Sequence, residues 1–161
     1  MLKKVLVLLM CMALLPSLSV FSAGTTADVK ATASVFNGHE YKVIDTELTW
    51  LEAKAYCENL GGYLVTISSE QEQNFVVGLI PEGEHWAFWI GANDIKQEGA
   101  WQWVTGEPFN YANWAPGEPD DHEGRRDYGL IFTDGSWNDG KVDDAFPVIC
   151  EWVEPVESLP A

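Results

Sequence analysis

Thr49-Trp50-Leu51-Glu52-Ala53-Lys54-Ala55-Tyr56-Cys57-Glu58-Asn59-Leu60-Gly61-Gly62 is the stretch from which the fold can be read. Thr49 and Glu52 make a capping-box pair, because a hydroxyl and a carboxylate three residues apart can satisfy backbone donors that a first helical turn leaves unpaired. Trp50, Ala53, Cys57 and Leu60 then recur at helical spacing, so this face is the buried one and Cys57 points from it. Gly61-Gly62 stops the helix, since glycine accepts the left-handed conformation of a C-terminal cap.

Working outward, 40–44 reads as a short strand before the helix and 63–67 as a β-rich run after it. Ser69-Glu70-Gln71-Glu72 repeats the capping-box pattern and opens a second helix with Phe75, Val76, Leu79 and Ile80 on its apolar face, ended by Pro81 and Gly83. Strands are predicted at 88–92, which carries Trp89-Ile90-Gly91, and at 101–104, 130–133 and 147–153, with Asp134-Gly135 as a turn. Two helices followed mainly by strands indicate an α+β domain. Between 93 and 127 the chain is rich in Gly, Pro, Asn, Asp and Glu, and connections this long are usually functional or disordered. Trp101, Trp103, Phe109, Tyr111 and Trp114 require burial, so disorder is set aside and the loop needs internal anchors. A metal ion is one kind of anchor.

The first residues belong to no fold. Lys3 and Lys4 precede an apolar run over 5–15, then Pro16 and small residues up to Ser22-Ala23. This is the pattern of a secretory signal peptide cleaved near Ala23. The alternative, a membrane anchor, needs about 20 apolar residues. The expected organisation is a signal peptide at 1–23, a flexible lead-in at 24–35, one domain at 36–153 and an acidic tail at 154–161. The product is then secreted or extracellular, or periplasmic if bacterial and retained.

Nine basic and 25 acidic residues give the chain a formal charge of −16. Cleavage removes two lysines and no acid, leaving 7 − 25 = −18. That charge disfavours nucleic acid and anionic membranes as partners, both being polyanions, and it suits a binder of hard cations or neutral polyols. Of the three cysteines, Cys11 leaves with the leader, so Cys57 and Cys150 remain as an even pair in an oxidising compartment. A disulfide between them is predicted, with two buried thiols as the alternative; closing a loop of this size contributes about 4–5 kcal/mol in the chain-entropy model.

Oxygen-bearing side chains gather in Glu118-Pro119-Asp120-Asp121 and in Asn138-Asp139. Calcium takes six to eight oxygens from carboxylates, amides, backbone carbonyls and water. Glu118 and Asp120 can project to one side if the intervening proline bond is cis, an isomer that proline makes accessible. Either cluster alone reads equally well as a solvated turn.

Taken in order, these motifs make 50–152 resemble the C-type lectin-like domain family. Thr49-Trp50, Ala53, Cys57 and Gly61-Gly62 match the first helix; Leu64-Val65-Thr66-Ile67, Glu72 and Phe75 match the next strand and helix. Trp89-Ile90-Gly91-Ala92 is similar to the WIGL core motif, Glu118-Pro119-Asp120 stands at the EPN or QPD position, Trp137-Asn138-Asp139 is WND, and Cys150-Glu151-Trp152 closes the long disulfide. The resemblance implies the lectin-like fold, two helices packed on small antiparallel sheets with a long calcium-binding loop. It also implies a principal Ca2+ held by Glu118, Asp120, Asn138 and Asp139, with sugar hydroxyls coordinating the same ion. An auxiliary ion would use Asp94, Glu98 and Asp121. Glu118, Asp120, Asn138 and the adjacent His122 are the candidate ligand contacts.

Three departures bear on this. Arg126 stands where the family has a further acid, so either Asp127 or Glu123 substitutes or the arginine puts a cation in place of calcium. Tyr128 stands where an inner disulfide begins, which predicts a more mobile loop. Glu118-Pro119-Asp120 mixes the mannose-type and galactose-type patterns, which predicts broad recognition of neutral sugars with vicinal hydroxyls, leaning to mannose or fucose. His39 and His85 read as surface or packing residues, Trp50, Trp89, Trp103 and Trp137 as core, and Trp114 or Tyr111 as the better sugar contact. The expected function is calcium-dependent carbohydrate binding. The alternative is a lectin-like scaffold that binds protein or another surface without sugar. An enzyme is not expected, because carboxylates flanking one proline do not face each other across a glycosidic bond.

Overall fold

The computed structural model describes residues 32–83 and 85–153. The expected signal peptide at 1–23, most of the lead-in and the acidic tail at 154–161 lie outside them. In chain order the elements are strand β1 (Ser34–Phe36), β2 (His39–Leu48), helix α1 (Trp50–Asn59), β3 (Tyr63–Leu64), α2 (Glu70–Leu79), β4 (Ala87–Asn93), β5 (Gln102–Trp103), β6 (Tyr128–Phe132), β7 (Trp137–Gly140) and β8 (Phe146–Val153). The α+β expectation holds, with two helices packed on mostly antiparallel strands; these join in one eight-stranded sheet ordered β1-β2-β8-β4-β6-β7, with β3 on β8 and β5 on β4. The join is the parallel contact Trp89↔Val148 between β4 and β8, every other strand pair being antiparallel.

Local chemistry explains both helices. At α1 the predicted box is closed: Thr49 Oγ1 accepts from the Glu52 amide, and the Glu52 carboxylate accepts from the Thr49 amide at 3.0 Å. Gly61 follows the helix at φ +77°, the left-handed conformation its position demands. At α2 only half the box forms. Ser69 Oγ accepts from the Glu72 amide at 3.2 Å, but the Glu72 carboxylate is taken up by Ser68, amide and hydroxyl, and by the buried Tyr41 hydroxyl at 2.6 Å. Ser68, one residue ahead of the cap, and the tertiary Tyr41 hydroxyl take the carboxylate that the Ser69 amide would have used. Ser34–Phe36, read from sequence as mostly lead-in, pairs with β2 at Ser34↔Tyr41.

The sheet is buried on both faces. All seven residues of β4 are buried and alternate between two cores, as a period of two requires. Ala87 and Trp89 face Trp50, Ala53, Cys57 and Leu60 of the α1 side, joined by Leu130, Val148 and Trp152. Phe88, Ile90 and Ala92 face Val76 of α2 together with Trp103, Ile131, Trp137 and Ile149. Gly91 has to be glycine, because a Cβ there would come within 2.7 Å of the Leu64 carbonyl. The predicted disulfide is present, joining Cys57 on α1 to Cys150 on β8 with Cα atoms 5.6 Å apart.

The long loop after β4 hangs on Trp137. Its backbone amide donates to the Asn113 carbonyl and its carbonyl accepts from the Ala115 amide, each at 2.8 Å. Its indole Nε1 donates to Gln73 Oε1 of α2 at 2.9 Å. Trp103, Phe109, Tyr111 and Trp114 surround the same ring, with centroids 5.6–6.3 Å away. The sequence reading expected a mobile loop for want of an inner disulfide. The structure supplies aromatic anchors, and Tyr128 packs on Trp50 with centroids 4.9 Å apart.

Candidate functional site

Register brings the acidic residues to one end of the sheet. Asn93 pairs with Tyr128, which pairs with Gly140, so Asp94, Asp127 and Asp139 fall together at the ends of three neighbouring strands. The loop then carries Glu118, Asp120 and Asp121 back to that end, and the Glu118–Pro119 bond is cis.

Carboxylate oxygens of Glu118, Asp120 and Asp139 lie within 4.8 Å of one another. Asp139 is 2 % exposed; its Oδ2 accepts from the Asp121 amide at 2.7 Å, and its Oδ1 is buried without a hydrogen-bond donor. Glu118 Oε2 is likewise buried and undonated. Burial, then the neighbouring Asp120 and Asp139, push the Glu118 carboxyl above its ordinary range, with Arg126 acting the other way. Asp120 is exposed and its Oδ1 accepts from the His122 amide at 3.0 Å. Asn138, the neutral member of the predicted set, is half-buried on β7 and its Oδ1 accepts from the Asp139 amide at 2.6 Å.

A second group joins Asp94, Glu98 and Asp127, again within 4.8 Å. Asp94 is 1 % exposed; Oδ2 accepts from the Gly99 amide at 2.8 Å and Oδ1 is buried without a donor. Burial raises the Asp94 carboxyl, and the charges of Asp127 and Asp121 add to it. Glu98 is raised by desolvation and then by Asp94, Asp121 and Asp127. The resemblance put Asp121 in this group; its charge acts on both Asp94 and Glu98, its Oδ1 accepts from the Arg126 amide at 3.2 Å, and Asp127 lies within 4.8 Å of the other two. Asp127 was read as a substitute ligand of the first group; the Asp94 amide, bonded to the Asp127 carbonyl at 3.2 Å, holds it at the second. Glu123 joins neither, being exposed and paired with Arg125.

Arg126 enters the first group itself. Its Nη1 lies 3.3 Å from Asp120 Oδ1 and 3.6 Å from Asp139 Oδ1. His122 keeps an exposed ring beside the group. Trp114 and Tyr111, considered as sugar contacts, are half-buried against Trp137 and serve the loop.

Do these residues fit a calcium ion? A carboxylate oxygen withheld from both water and donors is costly unless a cation completes it. Glu118, Asp139 and Asp94 each present one. The donors are all oxygen, which suits a hard cation and not zinc. They fit.

Fold and site define a domain of the lectin class, and the comparisons with known proteins agree. The model of the family described as "Lectin C-type domain" matches residues 46–152, and the chain belongs to that family. A protein called lectin from Pleurodeles waltl is 32 % identical over 127 residues, covering 74 % of this chain and 73 % of its own length. Mouse C-type lectin domain family 4 member F is 33 % identical over 122 residues, 72 % of this chain but 22 % of that protein. This chain also matches 8 % of mouse C-type mannose receptor 2, so it spans a small part of such relatives. Among solved structures, the C-type lectin CEL-I from Cucumaria echinata superposes with a TM-score of 0.73 at 27 % identity, covering 76 % of this chain and 96 % of its own. A calcium-independent type II antifreeze protein superposes with a TM-score of 0.70 at 28 % identity, covering 76 % and 92 %. Among the described residues no helix is long and apolar enough to cross a membrane.

Proposed function

We propose that the chain is an exported, calcium-dependent carbohydrate-binding module. The observation that carries this reading is the pair of buried, undonated oxygens on Glu118 and Asp139, within reach of Asp120 and beside Asn138. In this reading Glu118, Asp120, Asn138 and Asp139 hold the principal ion, and Asp94, Glu98 and Asp127 hold a second, with Asp121 between them. A bound calcium ion would supply a Lewis-acidic centre for the hydroxyl oxygens of a sugar. The chain's own part is to present acceptors around it. Ionised Asp120 accepts only, whereas Asn138 can also donate. Three carboxylates and one amide therefore orient a sugar loosely, and the ligands are neutral sugars with vicinal hydroxyls.

The related proteins support a sugar ligand without choosing one. One is called a C-type mannose receptor; another is called the galactose-specific lectin nattectin, 44 % identical over 77 residues, which are 47 % of this chain and 48 % of that one. Arg126 in the first group favours the second reading, a lectin-like scaffold that binds a protein or another surface without sugar. A glycan array with calcium and with chelator separates them. The proposal expects neutral glycans bound in calcium and released by chelator. Binding that ignores the chelator, or no glycan bound by folded protein in calcium, refutes it.

A further inference from the structure

The first acidic group contains a cation that belongs to the chain. Glu118, Asp120 and Asp139 bring three negative charges within 4.8 Å of one another, two of them with a buried oxygen. Like charges this close repel, and burial strengthens the repulsion. The Arg126 guanidinium lies against two of the three, at 3.3 Å from Asp120 Oδ1 and 3.6 Å from Asp139 Oδ1, and its charge also acts on Glu118. Its side chain is 25 % exposed, so water reaches one side of it while the Asp139 side chain is fully enclosed.

The contact is incomplete in an informative way. At 3.6 Å the guanidinium makes an ion pair with Asp139 Oδ1 but no hydrogen bond, and that oxygen keeps its unmet demand. A guanidinium is planar and delocalised; it neutralises charge without reaching into a pocket built for a spherical ion. Calcium approaches carboxylate oxygens to about 2.3–2.6 Å. The two cations therefore claim the same carboxylates at different depths.

We infer that Arg126 is a resident counter-ion of the principal site. It holds Asp120 and Asp139 in place when the metal is absent and is displaced when calcium enters. The inference rests on the proposed function for the identity of the metal, but its first half, charge compensation without metal, does not. The consequence is a site that is preformed and stable in calcium-poor surroundings, and that binds calcium more weakly than its ligands alone would allow.

The test uses the whole chain, with Arg126→Gln and Arg126→Lys made in the parent and in an Asp94→Asn background that silences the second group. Calcium is titrated by calorimetry, and melting is followed in chelator. Removing one positive charge a few ångströms from a divalent ion should tighten calcium binding about tenfold or more at low salt. Arg126→Gln should therefore bind calcium more tightly and melt at a lower temperature in chelator, and Arg126→Lys should restore parental behaviour in both. A merely structural arginine would lower melting without tightening calcium. That outcome, unchanged or weaker affinity in Arg126→Gln, overturns the inference, as does unchanged or higher melting in chelator. If the parent ignores calcium but Arg126→Gln binds it, the counter-ion stands and the calcium dependence of the proposed function falls. If neither binds, the calcium dependence and the displacement both fall, and charge compensation stands or falls on melting in chelator alone.

Discussion

Replacing Asp139 by Asn removes one charge from the first group while keeping an oxygen to accept from the Asp121 amide, now at 2.7 Å. The change is small in volume, so its effect without metal is confined to electrostatics: one fewer buried charge, and one less partner for Arg126 at 3.6 Å. These oppose each other, and melting in chelator should move by less than the equivalent of about 1 kcal/mol. With calcium the outcome differs. Extracellular modules bind calcium with Kd of about 10⁻⁴–10⁻³ M. At roughly 10 mM calcium, mass action then stabilises one site by about 1.4–2.7 kcal/mol, or roughly 4–10 °C in a domain of this size. Asp139→Asn should lose the increment of the first group, Asp94→Asn that of the second, and the double variant all of it. Differential scanning fluorimetry in calcium and in chelator measures each. A double variant that keeps the parental increment would show that neither group binds the ion, and a parent unmoved by calcium would refute the ligand assignment as a whole.

Calcium should offset the loss of stability that the raised carboxyls cause as pH rises. Glu118, Asp94 and the enclosed Glu151 all titrate above their ordinary values because burial penalises the charged form. For raised carboxyls the folded state holds the proton longer, so in chelator their contribution is full below about pH 4 and declines as pH rises through the raised values. Calcium competes with protons at Glu118 and Asp94, so its stabilising increment should grow over the same window; an increment independent of pH from about 4 to 7 would contradict this. Trp137→Phe should cost about 1–3 kcal/mol in urea denaturation by leaving Gln73 Oε1 without its indole donor. It should also weaken the calcium response, whereas Trp50→Phe, which loses an equal bond to the Ile90 carbonyl, should not. Equal calcium responses in the two would show that Trp137 does not set the loop.

What was legible in the sequence was what local chemistry decides. Thr49 and Glu52 close their box because both partners lie within one turn. Cys57 and Cys150 pair because one faces in from α1 and the other from the middle of β8. Glu72 misled because its carboxylate is shared between Ser68, just ahead of the cap, and the Tyr41 hydroxyl 31 positions away, a partner that no local pattern displays. Ser34–Phe36 was missed because a run of three residues is too short to show alternation, even with Val35 and Phe36 in it; pairing with β2 makes the strand. Within the site, Glu118, Asp120, Asn138 and Asp139 were named from two short motifs. Asp127 was one of two residues offered, with Glu123, as a stand-in for the acid that Arg126 replaces; the pairing of β6 with β4, which puts it beside Asp94, is a long-range register that the sequence does not display. The loop's anchors were visible as aromatics but not as a set, since nothing in their spacing shows that four of them meet one indole.

The β1 edge of the sheet has its own consequence. β1 lies beside β2 and β2 beside β8, with Ser34 opposite Tyr41 and Tyr41 opposite Glu151. Two strand spacings separate the first residue of this arrangement from the last strand, about 10 Å. A domain whose entry and exit are that close can be spliced into a longer polypeptide, or strung in series with copies of itself, without prising its sheet apart. Several relatives match this chain over only a small fraction of their own length. Whatever flanks such a unit joins it at the β1, β2 and β8 side of the sheet, while the acidic groups sit at the ends of β4, β6 and β7.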